Sequence, residues 1–254
     1  MGRCAGKGGS HCLEAQSHGT ALAIMKYRHF LFDLDDTLLD FKASEKRSFE
    51  LALAAMDLNG EAAAMFPHYQ RENAALWAEF ERGRVDKDWL KVERFRRAFA
   101  HHGIDADADR ASRYYLDHLP QTVVLVEGAV RLCETLAGIG EIGIITNGIE
   151  AVQATRIANS GLGAWLSFVA TSESCGHAKP DVRFFEYSAT RFRRFAKQNA
   201  IIVGDRLDAD IAGGNQFDID SCWYNPSRAD RNGDIMPTFE VSHLDQIEAV
   251  LSGR

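Results

Sequence analysis

The strongest constraint on the fold is a series of short apolar runs that stop abruptly at polar residues. The first, Phe30 to Leu34, contains Asp33 and is followed by Asp35. Short apolar runs of this kind are typical of strands that are buried on both faces, as in a parallel sheet. Similar runs occur at residues 141–146 (EIGIIT), 168–171 (FVAT), 200–205 (AIIVGD) and 220–224 (DSCWY). The chain is therefore predicted to form a parallel β-sheet.

Segments of helical composition separate these runs. We predict helices over residues 127–137, 150–159 and 181–195. Gly161 suits the end of the second helix, and Pro180 suits the first turn of the third. Strands that alternate with helices predict a doubly wound, Rossmann-like α/β fold.

One stretch departs from this alternation. From about residue 41 to residue 119 there is no strand-like run, and apolar residues such as Phe49, Leu53 and Met56 recur at helical spacing. We predict an inserted all-helical cap domain at 41–119, on an α/β core formed by 25–40 and 120–254. Residues 1–24 are rich in Gly, Ser and His, and we interpret them as a tag or a disordered extension.

Composition limits the class of partner. A formal net charge of -7 argues against a nucleic-acid polymer or an anionic membrane surface, and no apolar stretch approaches the roughly 20 residues of a membrane helix. A small anionic substrate stays compatible, and so do a monomer and a homodimer. The cysteines lack CxxC spacing, which favours reduced thiols and a cytoplasmic protein; they are Cys4, Cys12, Cys133, Cys175 and Cys222.

The residues suited to catalysis lie where the predicted strands end. Asp33 and Asp35 follow the first strand, and alternate side chains of an extended segment point the same way, so both can face one cleft. Asp205 ends a later strand, and Lys179 precedes a predicted helix. Because open α/β sheets bind ligands at the carboxyl ends of their strands, we predict that three carboxylates and a lysine converge there.

Carboxylates gathered in this way predict a hard divalent cation, of which Mg²⁺ is the natural candidate. Asp33 and Asp205 are the predicted ligands. Asp210, five residues after Asp205, can reach back from the next helix and is expected to act through a water molecule or a hydrogen bond.

A phosphate group would need hydrogen-bond donors at the same edge. Thr146 offers a hydroxyl, and Asn147 and Gly148 offer backbone N–H groups at the start of the following helix, where the helix dipole favours an anion. Lys179 adds a full positive charge. These four residues are the predicted phosphate-binding set.

Four segments together resemble the motifs of the haloacid dehalogenase-like superfamily. The resemblance implies a nucleophilic Asp33, an acid/base Asp35 whose backbone carbonyl also binds the metal, phosphoryl-binding Thr146 and Lys179, and a Mg²⁺ ligand at Asp205. Phosphatases of the superfamily carry an aspartate two residues after the nucleophile and its dehalogenases do not, so Asp35 favours phosphoryl transfer. The segments are DLDDT (33–37), ITNG (145–148), AKPD (178–181) and VGDRLDAD (203–210).

The opening MKYRHFLFDLDDTLLDF and the segment LWAEFERGRVDKDWLKVERF are similar to the noncanonical pyrimidine 5′-nucleotidase branch of that superfamily. This similarity implies hydrolysis of nucleoside 5′-monophosphates such as UMP, dUMP and dTMP. Arg84 and Lys87, in a polar link between predicted cap helices, are the candidate substrate-facing residues. Two alternatives stay open: a sugar-phosphate or phosphoglycolate phosphatase, and a non-catalytic binding protein on the same fold.

Overall fold

The computed structural model describes residues 26–231 and 233–251, so the prediction for residues 1–24 lies outside the described range. Within that range the chain forms a six-stranded sheet in which every neighbouring pair of strands runs parallel. The predicted α/β fold is confirmed. In the order β3-β2-β1-β4-β5-β6, the strands are β1 (His29–Phe32), β2 (Glu141–Thr146), β3 (Phe168–Thr171), β4 (Ala200–Gly204), β5 (Asp220–Tyr224) and β6 (Phe239–Val241).

Four α-helices lie in residues 41–119, the segment for which the sequence predicts a helical cap. They are α1 (Phe41–Ala54), α2 (Ala62–Glu81), α3 (Lys87–His101) and α4 (Ala108–His118). Phe49, Tyr69, Phe95 and Tyr115 form the centre of their shared apolar core. These four helices therefore bury their apolar faces mainly against one another.

The remaining helices cover both faces of the sheet. Side chains of a strand alternate between the two faces, so successive strand residues pack against different helices. Phe30 and Phe32 point into the apolar cluster that includes α5, α6 and α10, and Leu31 points into the cluster that includes α8. The helices are α5 (Ala129–Ala137), α6 (Glu150–Ser160), α7 (Ser172–Cys175), α8 (Val182–Ala189), α9 (Ala212–Gln216) and α10 (Gln246–Leu251).

The two connections between the sheet and the four-helix segment, at residues 38–40 and 124–126, run side by side. Asp40 N donates to Val124 O at 2.9 Å, and Val126 N donates to Leu38 O at 3.0 Å. Leu39 and Leu125 form an antiparallel bridge between these two bonds. The two connections to the sheet are therefore held together by the backbone.

The third predicted helix starts within one residue of its predicted start but is six residues shorter at its C-terminal end. Asp181 caps α8 by accepting from Arg183 N at 2.9 Å, so Pro180 precedes the cap instead of occupying the first turn. The helix ends at Ala189, and Phe192 packs edge-on against Phe168 with ring centroids 4.8 Å apart. Burial of this ring requires the chain to turn before residue 195.

Two other predictions concern membrane helices and the cysteines. No helix described here is long and apolar enough to cross a membrane. Cys133, Cys175 and Cys222 are free thiols, whereas Cys4 and Cys12 lie outside the described range.

Candidate active site

The loop after β1 holds Asp33 at the centre of the sheet edge. Asp33 N donates to Val203 O at 2.9 Å, and Thr37 Oγ1 lies 3.2 Å from the Asp33 carboxylate, to which it donates. Asp36 adopts a φ of 58° and accepts from Phe41 N at 3.1 Å, which turns the chain into α1. The Asp33 carboxylate is therefore buried and fixed from both sides.

Lys179 is the main cationic partner of this carboxylate. Its Nζ donates to Asp33 Oδ1 at 2.6 Å, to Asp210 Oδ1 at 2.7 Å and to Ile145 O at 2.8 Å. These three bonds use all three ammonium donors. The two carboxylates raise the pKa of the buried Lys179 above its ordinary value, against the effect of burial, so the side chain is charged at neutral pH.

Asp33, Asp205 and Asp210 each place a carboxylate oxygen within 4.8 Å of the others. Burial, followed by the charges of Asp33 and Asp210, raises the pKa of Asp205 to about 9. Burial also raises the pKa of Asp33 to about 7, although Lys179 opposes this rise. The single positive charge of Lys179 thus does not balance the charge that three carboxylates can carry. An all-oxygen donor set with excess negative charge fits Mg²⁺.

Asp210 approaches this cluster through a gap left by a glycine. A Cβ atom at Gly204 would lie 2.2 Å from Asp210 Oδ2. That oxygen accepts from Arg206 N at 3.1 Å, while the other accepts from Lys179. The Asp210 carboxylate is therefore already engaged by two donors, and Asp205 is left as the less committed oxygen donor.

The predicted phosphate-binding residues follow β2. Thr146 Oγ1 accepts from Gly148 N at 3.0 Å, so in this structure the Gly148 N–H is paired within the loop. The Asn147 amide bonds to the backbone of Lys179 at both ends, with Oδ1 accepting from Lys179 N at 2.8 Å and Nδ2 donating to Lys179 O at 3.1 Å. The Asn147 side chain therefore fixes the segment that carries the lysine.

Asp35 faces the same cavity and has two partners that sequence reasoning missed. It forms an ion pair with the buried Arg156, and Gln153 Nε2 donates to its carboxylate at 2.6 Å. Gln153 and Arg156 are three residues apart in α6 and therefore share a face. The only sequence signal for Gln153 and Arg156 was that they closely follow residues 146–148, which are predicted to bind phosphate.

Arg84 and Lys87 are not among the residues that line the cavity. Arg84 is exposed and pairs with Glu79 at 3.1 Å. Lys87 is buried and donates to Gly148 O at 2.8 Å and to Glu173 Oε1 at 3.0 Å. Lys87 thus supports the backbone of the loop after β2 without facing the cavity.

A cavity of about 760 Å³ extends from the sheet edge between the four helices. The side chains at its sheet end include Asp33, Asp35, Thr146, Lys179 and Asp205. Its walls combine apolar side chains with polar and charged ones. The wall residues include Phe41, Ala74, Trp77, Leu116, Leu119 and Ile149, together with polar Glu45, Gln70, Arg71 and Asn73.

Glu81, the last residue of α2, connects the cap segment to two loops at the sheet edge. It accepts from Arg206 Nη1 at 2.5 Å and from Arg206 Nη2 at 2.9 Å. It also accepts from Asn147 Nδ2 at 3.0 Å. Arg206 follows Asp205, so a single carboxylate contacts both the loop after β2 and the loop that carries Asp205.

Comparison with known proteins identifies a family for this chain. The family described as haloacid dehalogenase-like hydrolase matches residues 27–218. HAD-hydrolase YfnB of Bacillus subtilis is 32% identical over 229 residues, covering 89% of this chain and 96% of the relative. Its magnesium-bound crystal structure, described as revealing interdomain movement, covers 89% of this chain and 99% of that chain with a TM-score of 0.82.

Two further relatives carry more specific names. Pyrimidine 5′-nucleotidase PynA of Streptococcus pneumoniae is 35% identical over 228 residues, which cover 89% of this chain and 96% of the relative. Pyrimidine 5′-nucleotidase YjjG of Escherichia coli is 30% identical over 232 residues, covering 89% and 99% respectively.

Proposed function

We propose a Mg²⁺-dependent pyrimidine 5′-nucleotidase activity for this chain, which belongs to the haloacid dehalogenase-like hydrolase family. The observation that carries the proposal is the group of Asp33, Asp35, Thr146, Lys179 and Asp205 at the sheet end of one cavity. The substrate would be a small phosphate ester whose phosphate occupies that end.

In the proposed mechanism, a carboxylate oxygen of Asp33 attacks phosphorus, and the bond from phosphorus to the nucleoside 5′-oxygen breaks. Asp35 gives its proton to the departing alkoxide. The phosphoryl group is then held on Asp33 as an acyl phosphate. Asp35, now ionised, takes a proton from water, which attacks the acyl phosphate and releases inorganic phosphate and the Asp33 carboxylate.

The other polar residues bind charge and fix geometry. We propose that the Thr146 hydroxyl and Lys179, which would exchange one of its present bonds, bind the phosphate oxygens. Asn147 would keep Lys179 in position, which its two bonds to the lysine backbone support. Asp33, Asp205 and the backbone carbonyl of Asp35 would hold Mg²⁺. When bound, this cation supplies the positive charge that lets an anionic nucleophile approach an anionic phosphate.

The dimensions and walls of the cavity support a nucleotide over a smaller ester. A volume of about 760 Å³ lies within the usual range for sites that take drug-sized ligands, and phosphoglycolate would leave most of it unfilled. Phe41, Trp77 and Leu116 provide apolar surface for a flat base. The two relatives named as pyrimidine 5′-nucleotidases support the same substrate class.

A panel of about twenty phosphate esters tests the proposal. With Mg²⁺, phosphate release from UMP, dUMP and dTMP should exceed release from purine nucleotides, sugar phosphates and phosphoglycolate. EDTA and the Asp33→Asn substitution should each abolish turnover. A preference for sugar phosphates or phosphoglycolate would replace the nucleotide assignment, and no turnover of any ester would indicate a binding protein. A cytoplasmic location and the oligomeric state remain predictions.

A further inference from the structure

Three imidazole rings meet between α2 and the end of α3, and none of them lines the candidate active-site cavity. His68 belongs to α2, His101 is the last residue of α3, and His102 follows it as the helix C-cap. Each ring offers a nitrogen atom within 4.8 Å of the other two. We propose that His68, His101 and His102 bind a transition-metal ion such as Zn²⁺, which links α2 to the C-terminal end of α3.

The positions of the three rings follow from the packing of the helices. Tyr69, the neighbour of His68, is buried against Phe95 of α3 with ring centroids 4.9 Å apart. This contact fixes the rotation of α2 relative to α3 and directs His68 toward the end of α3. Gly103 takes a φ of 64° and ends the helix just after His102. The backbone that carries the rings therefore needs no large rearrangement to bind an ion.

The distances among the rings are short enough for a shared ligand. His68 Nδ1 lies 2.7 Å from His102 Nε2, and the ring centroids of His68 and His101 are 3.6 Å apart. In a tetrahedral zinc site with Zn–N bonds of about 2.0–2.1 Å, ligand nitrogens are roughly 3.4 Å apart. Small rotations about the side-chain bonds would satisfy this geometry, with the ion replacing the hydrogen bond between His68 and His102.

The donor type separates this site from the carboxylate cluster. Neutral imidazole nitrogens suit Zn²⁺, Cu²⁺ and Ni²⁺, whereas Mg²⁺ prefers oxygen ligands. Three protein ligands leave a fourth position for water or a small ligand. Two charged neighbours of opposite sign, Arg71 and Glu72, act on His68, and Glu72 is itself paired with Arg97 at 3.0 Å. Glu72 therefore offsets only part of the positive charge of Arg71, and the imidazoles must provide the affinity.

The proposed consequence is stabilisation of the helical segment. The ion would bind the same helix that carries Trp77, a cavity-lining residue nine positions after His68. An ion that binds the folded chain alone stabilises it in proportion to the logarithm of ion concentration over Kd. Zn²⁺ should therefore raise the Tm of the metal-free protein, and this increase should not require Asp33 or Asp205.

Metal binding by the full chain tests the proposal. Protein stripped with EDTA is titrated with Co²⁺, which absorbs strongly in the visible range when four-coordinate and weakly in an octahedral oxygen site. Zn²⁺ stoichiometry and Kd are measured by competition with a chromophoric chelator. We compare the wild type with His68→Gln and His102→Gln, and with His118→Gln at the end of α4 as the matched control.

The expected result is one strongly absorbing Co²⁺ per chain in the wild type and in His118→Gln. In His68→Gln and His102→Gln, that absorption should be lost and the Zn²⁺ Kd should rise at least about a hundredfold. Equal stoichiometry and spectra in the wild type and both variants would overturn the proposal, because the metal would then lie elsewhere, for example on Cys4, His11 or Cys12. Far-UV circular dichroism identifies a variant that fails to fold, and His101→Gln then replaces it.

Discussion

Substitution of Asp205 by Asn should stabilise the metal-free protein while abolishing its activity. Burial and the carboxylates of Asp33 and Asp210 raise the pKa of Asp205 to about 9, from an ordinary value near 3.8. The folded protein therefore binds more protons than the unfolded protein between about pH 4 and pH 9, and its free energy of unfolding falls as pH rises through that window. Asparagine has no such charge to bury.

The magnitude follows from the same pKa. Each pH unit above the ordinary pKa costs about 1.4 kcal/mol of folding free energy, which gives an upper value of ~5 kcal/mol at pH 7.5. Water that enters the site and relaxation of the side chains reduce such a cost, so we expect Asp205→Asn to raise the unfolding free energy by about 2–4 kcal/mol at that pH. The gain should approach zero below about pH 3, where both side chains are neutral in both states.

Urea denaturation in EDTA at several pH values measures this difference. Mg²⁺ should stabilise the wild type more than the variant, and so reduce the difference in unfolding free energy between them. Asp208→Asn is the matched control, because Asp208 is exposed and pairs with Arg206 at 2.6 Å; its loss should change stability by under about 1 kcal/mol. A variant less stable than the wild type in EDTA at pH 7.5, or a gain that does not depend on pH, would refute the reasoning.

Three further substitutions probe the proposed nucleophile, the contact of the cap segment and the cavity wall. Asp33→Asn should lower kcat for UMP by roughly 10⁴-fold or more, measured as phosphate release, and should leave no acid-precipitable phosphoprotein. Glu81→Gln weakens the bonds to Arg206 and Asn147, so kcat should fall about 5- to 30-fold with an unchanged Kd for Mg²⁺; an unchanged kcat would exclude a positioning role. Trp77→Ala should raise KM for UMP about tenfold, as expected for a lost stacking surface, while KM for glycerol phosphate stays constant; equal changes for both esters would argue against base contact.

The strands were predictable because burial on both faces leaves a continuous apolar run in the sequence. Residues 141–146, 168–171 and 220–224 form strands with the predicted bounds. The sixth strand, β6, was not predicted: it has only three residues, at 239–241, and its central Glu240 is exposed. At the edge of a sheet a strand needs burial on fewer sides, so its sequence carries a weaker signal.

The site was predictable to the extent that its residues follow strands. Side chains at strand ends must lie at one edge of a parallel sheet, and this places Asp33, Thr146 and Asp205 near one another without knowledge of any contact. Glu81 and Arg156 could not be found in this way, because each lies on a helix. Glu81 is 125 residues from its partner Arg206, and no local pattern encodes that separation.

The side-by-side connections of the four-helix segment have an evolutionary consequence. Because Leu39 and Leu125 are paired where the segment leaves and rejoins the sheet, a different set of helices could be grafted between them without shifting β1 or β2. Changes within residues 41–119 are then limited mainly by contacts with the rest of the chain, such as those of Glu81 and Lys87 and the packing against Val152. A lineage built on this arrangement can acquire new substrates by exchanging one module while its reaction chemistry is inherited unchanged.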